Sequence, residues 1–184
     1  NCLNSIKGLI YRQRMVEADL YIDRFAQLFR NTLEASYEHD YPLSSEISYL
    51  RAYLEIEQMS MNYKFDFEFI IDPQLDINQT LIPAMLLQPH VENAVKHGVS
   101  VLRDQKGLIT ISFEKRENYL ICTVRDNGPG RKAQHPKPEG QHIGKGISIT
   151  EKRAKLYEIE TEFIEHATGG TSVILKLTIT KHYD

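Results

Sequence analysis

The sequence predicts an α+β chain: dimerising helices at the N-terminus, then an α/β sandwich in which one mixed sheet is covered by helices on one face. Three observations carry this. Apolar residues fall at helical spacing from Leu3 to about Leu33, and again from Ile47 to about Met61. Beyond residue 62 the pattern changes to alternation with period two, in residues 64–71, 108–115, 119–125, 161–166 and 172–180. The first two of these strands are separated by a helical stretch, and strands interleaved with helices form a sheet with a helical layer. The composition shift places a boundary near residue 62, giving a helical unit with its linker helix over 1–62 and an α/β unit over 63–184.

Within the first unit, Leu3, Ile6 and Ile10, then Ala18, Ile22, Phe25, Phe29 and Leu33, form stripes on amphipathic helices, and the polar interval Arg12-Gln13-Arg14 suits a turn between two of them. Tyr41-Pro42 closes the section. Ser44 or Ser45, followed by Glu46, opens a further helix carrying Ile47, Leu50, Leu54 and Ile56 or Glu57 on successive turns. Helices with no core of their own bury such stripes against a second chain, so a homodimer is expected.

In the second unit, Asp72-Pro73 stops the first strand. The stretch 81–98 then reads as one helix, with Pro83 in the first turn and Gly98 at an exit that wants positive φ. Met85, Leu86, Val91, Ala94 and Val95 supply its apolar stripe. The strands 108–115 and 119–125 form a hairpin turning at Glu117-Asn118. Residues 126–143, dense in Gly and Pro, read as a loop and a candidate lid, and a helix is expected over 146–157. Gly169-Gly170 turns the chain between the last two strands.

Composition excludes several classes. At 184 residues with 41% hydrophobic content the chain can bury a core, and its formal charge of -3 lacks the basic footprint of a nucleic-acid binder. Cys2 and Cys122 form no C-x-x-C pair, which argues for a reducing compartment and against a cysteine-rich zinc site. No apolar run approaches the roughly 20 residues of a membrane helix. The chain opens without Met and in mid-helix, and reads as a piece of a longer protein.

Four polar groupings carry candidate chemistry. Glu92, Asn93, Lys96 and His97 bring an acceptor, an amide, a cation and an imidazole within about one helical turn. Asn93 offers a neutral amide oxygen, which suits Mg²⁺ already partly neutralised by ATP phosphates. Glu92 is placed to polarise an attacking group or orient metal-bound water, Lys96 to contact phosphate, and His97 to line the pocket edge. Asp126-Asn127-Gly128-Pro129-Gly130 follows a strand. Such a stretch is a common turn. As a site, the Asp126 carboxylate would accept from an adenine 6-amino group and repel guanine O6, with Gly128 and Gly130 letting backbone approach the ligand. Gly144-Lys145-Gly146 precedes a helix, a ready anion site that is neither a Walker A loop nor a dinucleotide fingerprint. His90-Val91-Glu92 imitates the H-x-E of zinc deaminases, but no P-C-x-x-C accompanies it.

The order L-L-Q-P-H-V-E-N-A-V-K-H-G, D-N-G-P-G, G-K-G-I before a helix, then G-G-T before a last strand, resembles the ATP-binding domain of the gyrase, heat-shock chaperone, histidine kinase and mismatch-repair superfamily. Within it the chain is similar to LytS-type sensor histidine kinases, whose helix typically reads L-Q-P-L-V-E-N-A-I-K-H-G. Residues 1–6 resemble the second half of their phosphoacceptor motif H-F-x-F-N-x-L-N-x-I, and P-L-S-S-E with Y-L-E-I-E resembles their linker helix. The resemblance implies that Asn93 holds Mg²⁺, Asp126 takes the adenine amine, Gly128 and Gly130 shape the floor, Gly144 and Gly146 meet phosphates, and Thr171 supports the adenine end. It further implies ATP-dependent protein-histidine kinase activity on a histidine just upstream, relay to a response-regulator aspartate, and a cytoplasmic position below a membrane-anchored sensor. Where the family's second glycine box reads G-x-G-I-G-L-x-N, Ser148, Ile149 and Glu151 depart from it. Those departures motivate the alternative of a nucleotide-gated interaction module with little phosphotransfer. A free-standing serine kinase of the anti-sigma type fits the first 62 residues poorly.

Overall fold

Apolar periodicity in the first 37 residues resolves into two helices. The computed structural model describes residues 2–37, 40–130 and 159–179. Helix α1 (Cys2–Tyr11) and helix α2 (Met15–Tyr37) meet at a tight turn where Gln13 takes φ of 59°, in the expected polar interval. Leu9, Ala18 and Tyr21 bury against Ile56, while Ile22, Phe25, Phe29 and Leu33, one stripe along α2, stay exposed.

Strand β1 (Asp40–Pro42) leads directly into helix α3 (Leu43–Ser60). The start of α3 has no side-chain cap; its free amides are taken up by chain 77–80, with Leu43 N–H donating to Thr80 O and Ser44 N–H to Ile77 O, both at 2.9 Å. Neither Ser44 nor Ser45 is the cap the sequence predicts, because Pro42 occupies that position. One side of α3 contributes Leu43, Ile47, Leu50 and Leu54 to the core over the sheet; Ile56 faces the α1–α2 cluster.

Among the described residues the sheet has five strands in the order β2-β4-β5-β7-β6, from β2 (Phe65–Ile71), β4 (Gly107–Arg116), β5 (Tyr119–Asp126), β6 (Glu160–Glu165) and β7 (Thr171–Thr178). Only β2 and β4 run parallel, and the chain between them carries the crossover. Alternation decides which face is buried: Ile109, Ile111 and Phe113 on β4, Leu120, Cys122 and Val124 on β5, and Val173, Leu175 and Leu177 on β7 all enter the core, each such burial stabilising by about 1.5–3 kcal/mol. The intervening positions on the far face are mostly half-buried or exposed. This is the mixed α/β architecture with one helix-covered face. Asp126 closes the buried row of β5, so its carboxylate falls on the helix side.

A correction falls on the crossover. Pro83 does not open a helix. Residues Leu81–Pro83 form β3, an antiparallel partner of β1 with Tyr41 opposite Ile82, and the chain turns through 84–87 with Met85 at φ of 57°. Helix α4 (Gln88–Asn93) starts later with Pro89 in its first turn, then widens into a π-helical turn (Ala94–Gly98) and a 3₁₀ turn (Val99–Val101). No helix among the described residues is long and apolar enough to cross a membrane.

Candidate nucleotide site

Gly98 ends the π-helical turn with φ of −89°, not in the left-handed region expected for it. The lack of a side chain, not backbone freedom, is what the position uses. A Cβ on Gly98 would stand 2.7 Å from both Cγ and Oδ1 of Asp126, and one on Gly128 would stand 2.5 Å from Gly98 Cα. The helical run of the E-N-x-x-K-H-G motif is therefore packed hard against the D-N-G turn. The wider π-helical winding turns Gly98 onto the strand end, and such insertions recur at functional sites.

The third motif arrives from the other side. Thr171 pairs with Asp126 across β5 and β7, and Gly170, at φ of 95°, would put a Cβ 2.2 Å from Asp126 O. Gly169, also left-handed, shares that turn, and Gly130 takes the same kind of conformation at the end of the D-N-G-P-G stretch. Asp126 is thus enclosed by Gly98, Gly128, Gly170 and Thr171. Gly128 N–H donates to its Oδ1 at 2.8 Å. Burial pushes the carboxyl above its usual range, while the backbone N–H groups of Gly128 and Thr171 and the nearby His166 pull the other way. His166 itself bonds Ser172 Oγ at 2.7 Å.

The polar residues of the helix precede Gly98, Glu92 and Asn93 by between one and two turns and Lys96 and His97 by less than one. Gln88 Nε2 donates to Glu92 Oε1 at 2.9 Å, and Lys96 Nζ bonds Glu92 Oε2 at 2.6 Å. Asn93 is half-buried on the last residue of α4, and His97 is exposed. Helix α3 runs close to this group. Burial raises the Glu57 carboxyl, Lys96 opposing and Glu92 reinforcing the shift; burial likewise raises the phenols of Tyr49 and Tyr53, with the charge of Glu92 adding to both. Among the described residues no group of three or more His, Cys, Asp or Glu stands ready to hold a metal. A cation at Asn93 would need phosphate oxygens to complete its shell, which fits Mg²⁺ delivered with a nucleotide.

Of the predicted site residues, Asp126, Gly128, Gly130 and Thr171 come together with the end of the helix bearing Glu92, Asn93, Lys96 and His97. Gly144, Lys145, Gly146 and the departures at 148–151 lie outside the described residues. Sequence reading missed Glu46. This α3 carboxylate is fully buried and accepts Met85 N–H at 3.1 Å and Leu87 N–H at 3.0 Å, ahead of α4. Its only local signal was a position after Ser44-Ser45 that reads as a helix start.

Residues 79–181 match the family model of the histidine kinase-, DNA gyrase B-, and HSP90-like ATPases, and residues 1–65 match that of histidine kinases. The sensor histidine kinase BtsS of Escherichia coli (strain K12) is 33% identical over 155 residues, covering 84% of this chain and 26% of its own length. The sensor protein LytS of Oceanobacillus iheyensis is 33% identical over 134 residues, covering 68% of this chain and 22% of its own. The chain therefore spans about a quarter of the length of these relatives. Among solved structures, the Acinetobacter baumannii histidine kinase AdeS aligns with a TM-score of 0.57 at 11% identity over 98% of this chain and 94% of that one. The catalytic domain of histidine kinase ThkA aligns at 0.56 and 17% over 78% and 97%. At those identities the likeness is one of fold. The chain belongs to the histidine kinase-, DNA gyrase B-, and HSP90-like ATPase family, and within it is similar to the sensor histidine kinase BtsS and the sensor protein LytS. Residues 79–181 are thus the ATPase domain of that family.

Proposed function

We propose that this chain is the cytoplasmic kinase core of a two-component sensor, binding Mg·ATP and moving its γ-phosphoryl group to a histidine just upstream, for relay to a response-regulator aspartate. The observation that carries the reading is the contact of Gly98 with Asp126, joining the helix of Asn93 to the end of β5. Asn93 lies five residues before Gly98, at most about 7.5 Å along a helix axis. That separation is within the reach of a single nucleoside triphosphate. Asp126 would select adenine, Gly128, Gly130 and Thr171 would shape its pocket, and Gly144, Lys145 and Gly146 would meet phosphates. A solved complex of ThkA with the response regulator TrrA aligns at a TM-score of 0.56 and 19% identity, which motivates the regulator as partner.

For phosphoryl transfer the residues act by positioning and charge stabilisation. Glu92 orients the attacking group. Lys96, released from Glu92, neutralises phosphate, and Asn93 fixes the phosphate end. Mg²⁺, when bound, would spread the developing negative charge. Residues 1–62 supply the homodimer through the exposed stripe of α2 and the linker helix, and 63–184 supply the ATP unit.

Two titrations test the placement. Asp126→Asn is expected to lose preference for ATP over GTP and at least about tenfold in affinity, a difference near 1.4 kcal/mol. Asn93→Ala is expected to lose the Mg²⁺-dependent part of affinity. Unchanged binding in both rejects the site. Tight ATP binding with no phosphohistidine in the intact sensor would favour a nucleotide-gated module, the reading that Ser148, Ile149 and Glu151 suggest.

A further inference from the structure

A carboxylate with no exposed surface is expensive unless its oxygens are satisfied, and Glu46 satisfies them on a segment 39 to 41 residues away in sequence. Its two acceptors meet Met85, which holds a left-handed backbone, and Leu87, the residue that caps α4 without any side-chain bond. Both His90 N–H and Val91 N–H return to Leu87 O, so the amide that Glu46 holds belongs to the residue on which the first turn of α4 is built. From there the helix continues without interruption through Glu92 and Asn93 to Gly98. The other end of the connection is equally firm, since α3 begins on the carbonyls of Ile77 and Thr80. Burial raises the thiol of Cys122 on β5, and the charge of Glu46 adds to that shift.

We propose that Glu46 is a positioning residue for phosphoryl transfer: its carboxylate sets the start of the nucleotide helix relative to α3, so that a shift of α3 is delivered to Glu92 and Asn93. This rests on the ATP-site reading above. Apolar contacts between α3 and α4 can slide by small amounts, whereas two charge-assisted hydrogen bonds to consecutive odd amides tolerate little displacement. Glu46 touches neither nucleotide nor reacting atoms in this scheme; it acts through the backbone of 85–87.

The test uses the full-length kinase and two variants. Glu46→Gln keeps shape but turns an amide N–H₂ toward one of the two backbone donors; Glu46→Asp keeps the charge and, one methylene shorter, reaches only one of them. Hydrogen exchange is read separately for amides 85–98 and for the sheet amides 109–113, alongside ATP affinity. A core variant, Ile111→Val, serves as a control for general loss of stability. Both Glu46 variants are expected to speed exchange at 85–98 about tenfold relative to 109–113 and to weaken ATP binding by a similar factor. Ile111→Val is expected to do neither. Exchange that rises equally in the sheet and at 85–98, or unchanged exchange at 85–98, overturns the proposal. So does local loosening with unaltered ATP affinity. Wild-type protein that fails to bind ATP would instead remove the functional reading, and the exchange pattern would still decide whether Glu46 holds α4.

Discussion

Replacing Gly98 by Ala adds one methyl at the tightest contact between the helix and the strand end. The new Cβ would lie 2.7 Å from Asp126 Cγ and Oδ1, whereas ordinary contact starts at 3.4 Å, so the groups must part by 3.4 − 2.7 = 0.7 Å. The helix cannot easily roll aside, because Gly128 already lies against Gly98 Cα on the same side. Overpacking of this kind costs about 1–3 kcal/mol. Against it stands the gain of about 1 kcal/mol that Ala brings over Gly in a helix. The net loss is thus about 0–2 kcal/mol. A comparison variant isolates the contact: a Cβ on Gly8, in α1, meets nothing within 4 Å, so Gly8→Ala should stabilise by about 0.5–1 kcal/mol. At about 2–4 °C per kcal/mol for a chain of this size, the two variants should melt some degrees apart with opposite or sharply unequal shifts. Differential scanning calorimetry reads that gap, and ATP titration by isothermal calorimetry should show Gly98→Ala alone losing about tenfold in affinity. Equal shifts in melting temperature, or ATP affinity retained in Gly98→Ala, would show that the helix and Asp126 are not locked together.

Asp126→Asn should raise stability at neutral pH while weakening nucleotide binding. The carboxyl of Asp126 is raised above its ordinary 3.8, so its contribution to stability is full below that pH and is lost as pH rises through the raised value. The melting curves of wild type and variant should therefore converge near pH 3.5 and separate, with Asn the more stable, by pH 7; a constant offset would refute the shift. Lys96→Met breaks an exposed pair with Glu92 and should change the urea midpoint by no more than about 1 kcal/mol equivalent. A large loss of phosphohistidine formation on that stable background would place Lys96 at the phosphates, and normal turnover would remove it. Phe113→Ala, at a fully buried position on β4, should cost about 3–5 kcal/mol in chemical unfolding.

Where local pattern and tertiary burial coincide, the sequence was readable. The hairpin β4–β5 shows its alternation because one face is core and the other solvent, and Asp126 could be placed at its end for the same reason. The pairing of β1 with β3 could not be read: three-residue strands display no period, and Pro42 and Pro83 look like punctuation. In fact Pro83, which has no N–H to donate, fits a short two-stranded ladder. The start of α4 was read too early because Pro83 and Pro89 are both plausible first-turn residues, and only the ladder excludes the first. Gly98 was assigned to the right place for the wrong cause, since closeness to Asp126 is invisible in sequence. Glu46 was beyond reach for a related reason, its two partners being 39 and 41 residues distant.

Helix α3 is shared between neighbours: one side lies on the sheet and Ile56 on the opposite side closes the cluster of Leu9, Ala18 and Tyr21. Anyone preparing the nucleotide-binding half alone by starting near residue 62 would strip the sheet of Leu43, Ile47, Leu50 and Leu54 and leave a greasy underside prone to clumping. Starting ahead of Asp40 keeps that underside covered, and bares instead the face of α3 that lies on α2, around Ile56 and Met59.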